Sequence, residues 1–107
     1  MSNNSLIPIG QSTINGEVKQ TVDARRLHGF LEAKTESKNW IVRRINDFGF
    51  EEEKDFRSFL TESTGGRPTK EYAITLDMSK ELSMVERNAK GKQARQYFIE
   101  CENKVSV

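Results

Sequence analysis

The chain has 107 residues, of which 35% are hydrophobic and 31% are charged, and its formal net charge is +1. This length suits one domain with a buried core and is short for two. The charges are scattered, as in a globular protein, and no apolar run approaches the roughly 20 residues that cross a bilayer. We therefore expect one domain over residues 1–107, with residues 1–5 disordered, no membrane partner and a cytoplasmic location.

The N-terminal part of the chain predicts a β-hairpin followed by a helix. Asn15-Gly16 separates two short segments with apolar residues, and this dipeptide is a strong signal for a hairpin turn. Asp23 is placed to cap a helix that runs to Ala33. Gly29 lies inside this helix, where glycine is unfavourable, so we expect a neighbouring element to pack closely against it.

A second helix is predicted to start after Thr35 or Ser37 and to end at Gly49, because glycine readily adopts the left-handed conformation that follows many helices. With the preceding helix it makes a helix, turn, helix unit. Its apolar residues recur at helical spacing. The predicted buried face consists of Trp40, Ile41, Ile45 and Phe48.

The second half of the chain predicts a wing-like hairpin at about 56–75 and then two amphipathic helices that are broken at residues 88–91. Thr75 or Asp77 is placed to cap the first of these helices. The two helices have apolar stripes at Met78, Leu82 and Val85 and at Ala94, Phe98, Cys101 and Val105. The predicted fold class is α+β, a compact domain of about four helices and two small β-hairpins.

The residue types needed for catalysis or metal binding are scarce. His28 is the single histidine, and Cys101 is the single cysteine, on a predicted core face. Glu51, Glu52 and Glu53 are adjacent, so they cannot share one face of an element, and a solvated acidic turn explains them better. We therefore predict that the protein is not an enzyme and binds no cofactor or metal.

Cationic residues on the second helix, the wing-like hairpin and the last helix form the first candidate binding surface. Such an arrangement could follow the phosphate backbone of double-stranded DNA, as winged helix-turn-helix domains do. The alternative is that these cations are ordinary solvated residues balanced by nearby carboxylates. The candidates are Lys38, Arg43, Arg44, Arg67, Lys70, Lys90, Lys92 and Arg95.

The second candidate surface is apolar and lies on the last helix. Little chain remains to cover the end of this helix, so a second copy could pack on it across a two-fold axis. Periodicity leaves open whether the stripe packs internally or on a partner. The residues that we expect to be available for a homodimer or another partner are Tyr97, Ile99 and Val105.

Three segments of the sequence resemble the AntA/AntB phage antirepressor domain, which is itself similar to the KilA-N and BRO-type N-terminal domains of phages and large DNA viruses. The segments are residues 22–50, VDARRLHGFLEAKTESKNWIVRRINDFGF; residues 65–91, GGRPTKEYAITLDMSKELSMVERNAKG; and residues 93–102, QARQYFIECE. The combination of GRP, KEL, MVER and YFIECE is more specific than any single motif.

The resemblance implies a bacteriophage or prophage protein that acts in the cytoplasm of the bacterial host. Such a protein typically binds a phage repressor, blocks its binding to the operator and so favours lytic growth. Related KilA-N-type domains are associated with DNA binding, which keeps double-stranded DNA as an alternative partner. Family antirepressors often carry a C-terminal effector domain, and we expect none in this chain, which would then be a truncated domain or a short form.

Overall fold

The computed structural model describes residues 7–62, 66 and 68–105, and the side chains only as far as residue 103. The expectation of disorder at residues 1–5 and the predicted roles of Arg67 and of the Val105 side chain therefore lie outside the described residues. The elements in chain order are β1 (Gly10–Ile14), β2 (Glu17–Asp23), α1 (Ala24–Leu31), α2 (Ser37–Phe48), β3 (Phe56–Thr61), β4 (Thr69–Thr75), α3 (Leu76–Val85) and α4 (Ala89–Val105).

The α+β prediction, with four helices and two hairpins, is confirmed. The two hairpins join in one antiparallel sheet of strand order β1-β2-β4-β3. The join is made by β2 and β4, where Val22 lies opposite Ile74. The sheet curls until its two edge strands approach each other, and the Arg57 guanidinium donates a hydrogen bond to the Thr13 carbonyl at 3.0 Å.

Local turn chemistry sets the N-terminal hairpin. Asn15 and Gly16 both have positive φ, 54° and 80°, as the mirror-image turns of two-residue hairpins require. Ile14 and Glu17 then face each other across the turn. The predicted hairpin is therefore confirmed.

Helix α1 begins after Asp23, whose side chain accepts a hydrogen bond from the Arg25 backbone N–H at 3.3 Å. The predicted cap is confirmed. The helix ends at Leu31, earlier than expected, because Glu32 adopts a left-handed conformation with φ 57°. The expected close neighbour at Gly29 is wrong: Gly29 is exposed, and a Cβ there would have no atom within 4 Å.

Helix α2 ends at Gly49, which has φ 72° and confirms the predicted stop. Trp40 and Ile41 are buried as predicted. Phe48 is not, since it is 45% exposed. It lies at the end of the helix, beyond the core, and stacks on Phe50 with ring centroids 6.0 Å apart.

The polypeptide passes from β4 directly into α3. The Thr75 hydroxyl accepts a hydrogen bond from the Met78 backbone N–H at 3.2 Å, so Thr75 and not Asp77 caps the helix. Asp77 lies in the first turn, where its charge suits the positive end of the helix dipole. Strands β3 and β4 lie where the wing-like hairpin was predicted.

Helices α3 and α4 pack against each other. The break between them ends earlier in the chain than predicted. Helix α4 begins at Ala89, because the Asn88 side chain accepts a hydrogen bond from the Gly91 backbone N–H at 2.7 Å. Gly91 is therefore a buried residue of the first turn and not part of the break. A Cβ on Gly91 would lie 2.2 Å from the Glu86 carbonyl oxygen and 2.4 Å from that of Ser83. Glycine is what allows this approach.

An ion pair ties the far ends of the two helices. The Lys80 ammonium lies 2.8 Å from a Glu102 carboxylate oxygen and 3.3 Å from one of Asp77. The hydrogen bond to Glu102 raises the pKa of Lys80. Cys101 is half-buried and packs against the core.

The core lies between the sheet and the helices, and most of the predicted apolar faces reach it. Residues with no more than 2% exposure come from all four helices and from β1, β2 and β4. They include Val22, Leu27, Leu31, Trp40, Ile41, Ile74, Met78, Leu82, Ala94 and Phe98. Among the helices in the described part of the chain, none is long and apolar enough to cross a membrane.

Candidate functional site

The predicted cations separate into two exposed groups. Lys38 and Lys70 line a groove between the start of α2 and the β3–β4 hairpin. Lys92 and Arg95 lie on the first turns of α4, beside the end of α3. Arg43 is exposed on α2 but lines neither surface.

The first surface, the hairpin groove, has a volume of about 480 Å³. Its floor is apolar: Ile41 is buried, Tyr72 is half-buried, and the side chains of Val42 and Leu60 are 43% and 69% exposed. The complete lining is Ala24, Arg25, Ser37, Lys38, Ile41, Val42, Leu60, Pro68, Thr69, Lys70, Glu71 and Tyr72. Single exposed apolar residues are common on protein surfaces, but a continuous apolar floor suits contact with another protein.

Charges at the edge of the hairpin groove are only partly neutralised. The Arg25 guanidinium binds Glu71 through two hydrogen bonds of 3.2 and 2.7 Å, and these bonds raise the pKa of Arg25. Lys70 lies over the Tyr72 ring, with its Nζ 5.6 Å from the centroid. Within the described residues neither Lys38 nor Lys70 forms an ion pair. The groove therefore combines an apolar floor with two positive charges that form no ion pair in the described residues.

Arg44 has a structural contact that the sequence pattern did not indicate. Its Nη2 lies 2.9 Å from a Glu86 carboxylate oxygen, which also accepts a hydrogen bond from the Trp40 indole N–H at 3.0 Å. The Arg44 and Glu86 side chains are only 23% and 14% exposed. This network holds α2 against the end of α3. The charge of Arg44 is paired with a carboxylate inside the fold.

The second surface, the α3–α4 corner, contains a cation that sequence reasoning missed. Arg87 follows α3 and lines a depression of about 430 Å³ together with Lys92 and Arg95. Met84 belongs to the same depression and is 56% exposed. Arg87 lines the same depression as two predicted cations, but it lies in the break before α4, so periodicity along one helix could not group them.

The remaining predicted residues have varied environments. The Tyr97 hydroxyl donates a hydrogen bond to the Ile7 carbonyl at 2.7 Å, so this half-buried side chain fastens the N-terminal segment to α4. Ile99 is half-buried. Lys90 Nζ lies 5.0 Å from the Phe30 ring centroid.

Three of the titratable candidates, His28, Glu52 and Glu53, have side-chain contacts within the fold. His28 Nε2 hydrogen-bonds the Thr35 carbonyl, and its ring meets Trp40 edge-on with centroids 5.3 Å apart. Glu52 accepts hydrogen bonds from the Ser58 hydroxyl and backbone N–H, and these lower its pKa. Glu53 accepts one from the Asn15 backbone N–H at 2.9 Å. In the described ranges, no group of three His, Cys, Asp or Glu side chains could hold a metal ion.

Comparison with known proteins identifies a family. The sequence model described as AntA/AntB antirepressor matches residues 22–88, which is more than half of the chain. The match contains every residue that lines the hairpin groove, and it ends between Arg87 and Lys92 of the α3–α4 corner. No curated protein and no solved structure matches the chain.

Proposed function

The chain belongs to the AntA/AntB antirepressor family, and from this premise we propose that it binds a phage repressor, prevents operator binding and so favours lytic growth. The family is a regulatory one. The function that we propose is accordingly binding and not catalysis.

The hairpin groove is the surface that we assign to the repressor. Val42 and Leu60 expose large apolar side chains there, and their burial by a partner would contribute favourable free energy. Lys38 and Lys70 at the edge would favour a partner with acidic residues around an apolar contact. The exposed apolar floor is the observation that supports a protein partner most directly.

The first experiment measures repressor capture and operator occupancy. The tagged chain is used to recover a repressor from a lysogen, and the recovered repressor is then tested for release from operator DNA. Leu60→Ser should weaken repressor binding roughly tenfold, because one apolar side chain would no longer be buried. Val18→Ser is the matched control, since Val18 is also 69% exposed but lies on β2 outside the groove.

Two outcomes would contradict this proposal. One is a failure to recover any transcriptional regulator from the lysogen. The other is equal binding by the Leu60→Ser and Val18→Ser variants, which would place the interface elsewhere.

The second candidate function is direct binding of double-stranded DNA. It is favoured by Lys38 and Lys70, which are both free of ion pairs and flank one groove. In the sequence, Arg67 stands two positions before the first residue of β4. DNA affinity should then fall steeply with salt, and Lys38→Gln or Lys70→Gln should lower the salt slope by about one unit for each lost phosphate contact.

Leu60→Ser distinguishes the two functions. Phosphate contacts do not need an apolar floor, so this substitution should leave DNA binding unchanged while it weakens repressor binding. Absence of binding to any duplex at low salt would eliminate the DNA function.

A homodimer formed through α4 is the assembly that we propose. Ile99 is half-buried in the single chain and could be covered further by a second copy. Light scattering should then give twice the 12.3 kDa chain mass, and Ile99→Glu should return the protein to a monomer. A monomer at high concentration would rule out this assembly.

A further inference from the structure

The α3–α4 corner combines exposed apolar side chains with unpaired cations. Met84 and Phe48 are 56% and 45% exposed, and both line a recess of about 380 Å³ between the ends of α2 and α3. Met84 and Arg87 also line the adjoining depression that contains Lys92 and Arg95. The apolar and cationic parts therefore form one continuous surface.

Packing within the chain leaves much of the apolar part exposed, although Phe48 stacks on Phe50. Met84 lies away from the buried stripe of α3, and Phe48 lies past the last buried turn of α2. Methionine is unbranched and flexible, so it adapts to partner side chains of different shapes. These two residues provide an apolar contact for a partner without any change in the core.

Nearby carboxylates balance the cationic part only in part: Glu81 lines the same recess as Arg87, but the two form no ion pair. Within the described residues Arg87, Lys92 and Arg95 form no ion pair. Glu86, the carboxylate nearest in sequence to Arg87, is already bound to Trp40 and Arg44. Lys92 and Arg95 are three residues apart on α4, a spacing at which like charges destabilise each other. A bound anionic group would relieve this repulsion.

The backbone beneath these residues is held in one geometry. Asn88 caps α4, and the close approach at Gly91 fixes the start of α4 against the end of α3. A partner would therefore meet side chains on a backbone that is already ordered, and the ordering cost of binding would fall on the side chains alone.

We propose that the α3–α4 corner is a second docking surface, which binds an acidic segment of a partner protein that carries an apolar side chain between its carboxylates. The apolar contact reaches Met84 and Phe48, and the carboxylates reach Arg87, Lys92 and Arg95. A protein segment is favoured over DNA because the apolar side chains lie beside the cations, where a phosphate backbone would leave Met84 and Phe48 uncovered. This surface is separate from the hairpin groove and independent of repressor binding.

A synthetic probe tests the proposal without knowledge of the natural partner. The probe is a fluorescent amphipathic peptide with Leu and Phe on one face, flanked by Glu, and the matched probe has Gln in place of every Glu. Anisotropy with the full chain should give saturable binding of the Glu peptide and at least about tenfold weaker binding of the Gln peptide. Titration of the isotope-labelled chain should shift the amide resonances of Met84, Arg87, Lys92 and Arg95.

Variants in each surface make the test specific. Met84→Ala should weaken binding of the Glu peptide roughly tenfold, and Arg87→Gln or Arg95→Gln should each weaken it about threefold. The controls are Leu60→Ala and Lys70→Gln in the hairpin groove, which should leave peptide binding unchanged. All of these side chains are exposed, so the variants should fold, as circular dichroism would verify.

Three results would overturn the proposal: no saturable binding of the Glu peptide, equal binding of the Glu and Gln peptides, or amide shifts confined to the hairpin groove. Tighter binding of random duplex DNA at the corner, unaffected by Met84→Ala, would also overturn it and would assign the surface to nucleic acid. Repressor capture through the hairpin groove could succeed or fail independently of each of these results.

Discussion

The α3–α4 corner and the hairpin groove both present free cations beside exposed apolar side chains, but they are held in different ways. Beneath the corner, Glu86 binds Trp40 and Arg44, and Gly91 packs against backbone. The hairpin groove depends on strand hydrogen bonds and on ion pairs at the surface, such as Arg25 with Glu71. Similar surface chemistry can therefore rest on buried contacts or on exposed ones. Substitutions in the buried contacts should lower the free energy of unfolding more than substitutions in the exposed contacts.

The largest effect is expected at Gly91. Gly91→Ala should lower the free energy of unfolding by about 2 kcal/mol or more, because the new Cβ would overlap two backbone carbonyls that cannot move independently. Gly29→Ala is the control. It adds the same methyl group to an open position in α1 and should raise the stability by up to about 1 kcal/mol through helix propensity. Thermal unfolding of both variants would measure the contrast, and equal midpoints would refute the close approach.

The next effect is expected at Glu86. Glu86→Gln should lower the stability by about 1 to 2 kcal/mol, because Arg44 would keep its partly buried charge without a counterion. Glu81→Gln makes the same chemical change at an exposed position of α3 and should have almost no effect. Urea denaturation would provide both values. A Glu86→Gln variant as stable as Glu81→Gln would mean that the corner is no more firmly supported than the groove.

In the hairpin groove, Glu71→Gln should lower the stability by only about 0.5 kcal/mol, since Arg25 is 55% exposed and would regain water. The same substitution would free one more cation at the groove and should strengthen any binding of duplex DNA. Calorimetry would measure the stability, with Glu62→Gln as the control for the change in net charge. A loss of stability comparable to that of Glu86→Gln would remove the contrast between the two supports.

The smallest effect is expected at Glu52, beside β3. Its hydrogen bonds with Ser58 lower its folded-state pKa, so its contribution is present at neutral pH and is lost as the pH falls through that lowered pKa. Glu52→Gln should therefore cost roughly 0.3 kcal/mol at neutral pH, and the difference from the original chain should vanish in acid. Chemical denaturation across acidic to neutral pH would test this, with Glu51→Gln as the neighbouring control. A constant difference at all pH values would exclude the ionised carboxylate as the cause.

Elements that depend on local chemistry could be predicted from the sequence. Asn15-Gly16, Asp23 and Gly49 were assigned correctly because turns and helix ends depend on a few adjacent residues. The end of α1 at Glu32 was missed, since Glu32 has no special preference for the left-handed conformation that it adopts.

Features that depend on distant residues could not be predicted in the same way. Arg44 meets Glu86 across 42 positions, and the join between β2 and β4 is equally non-local. The sequence pattern indicated cations on several elements, but it could not distinguish Arg44, which pairs with Glu86 inside the fold, from Lys92 and Arg95, which form no ion pair in the described part of the chain. Helical periodicity likewise placed Phe48 on the buried side of α2, although the core ends one turn earlier.

The hydrogen bond from Trp40 to Glu86 has a practical consequence. Trp40 is the single tryptophan of the chain, and it is 2% exposed. Its fluorescence should therefore come from one site, with an emission maximum at short wavelength while the indole is shielded from water. Any event that pulls the end of α3 away from α2 would break the hydrogen bond and shift the emission to longer wavelength. The protein thus carries an intrinsic optical signal for the α2–α3 contact, which can be followed in real time and without a label.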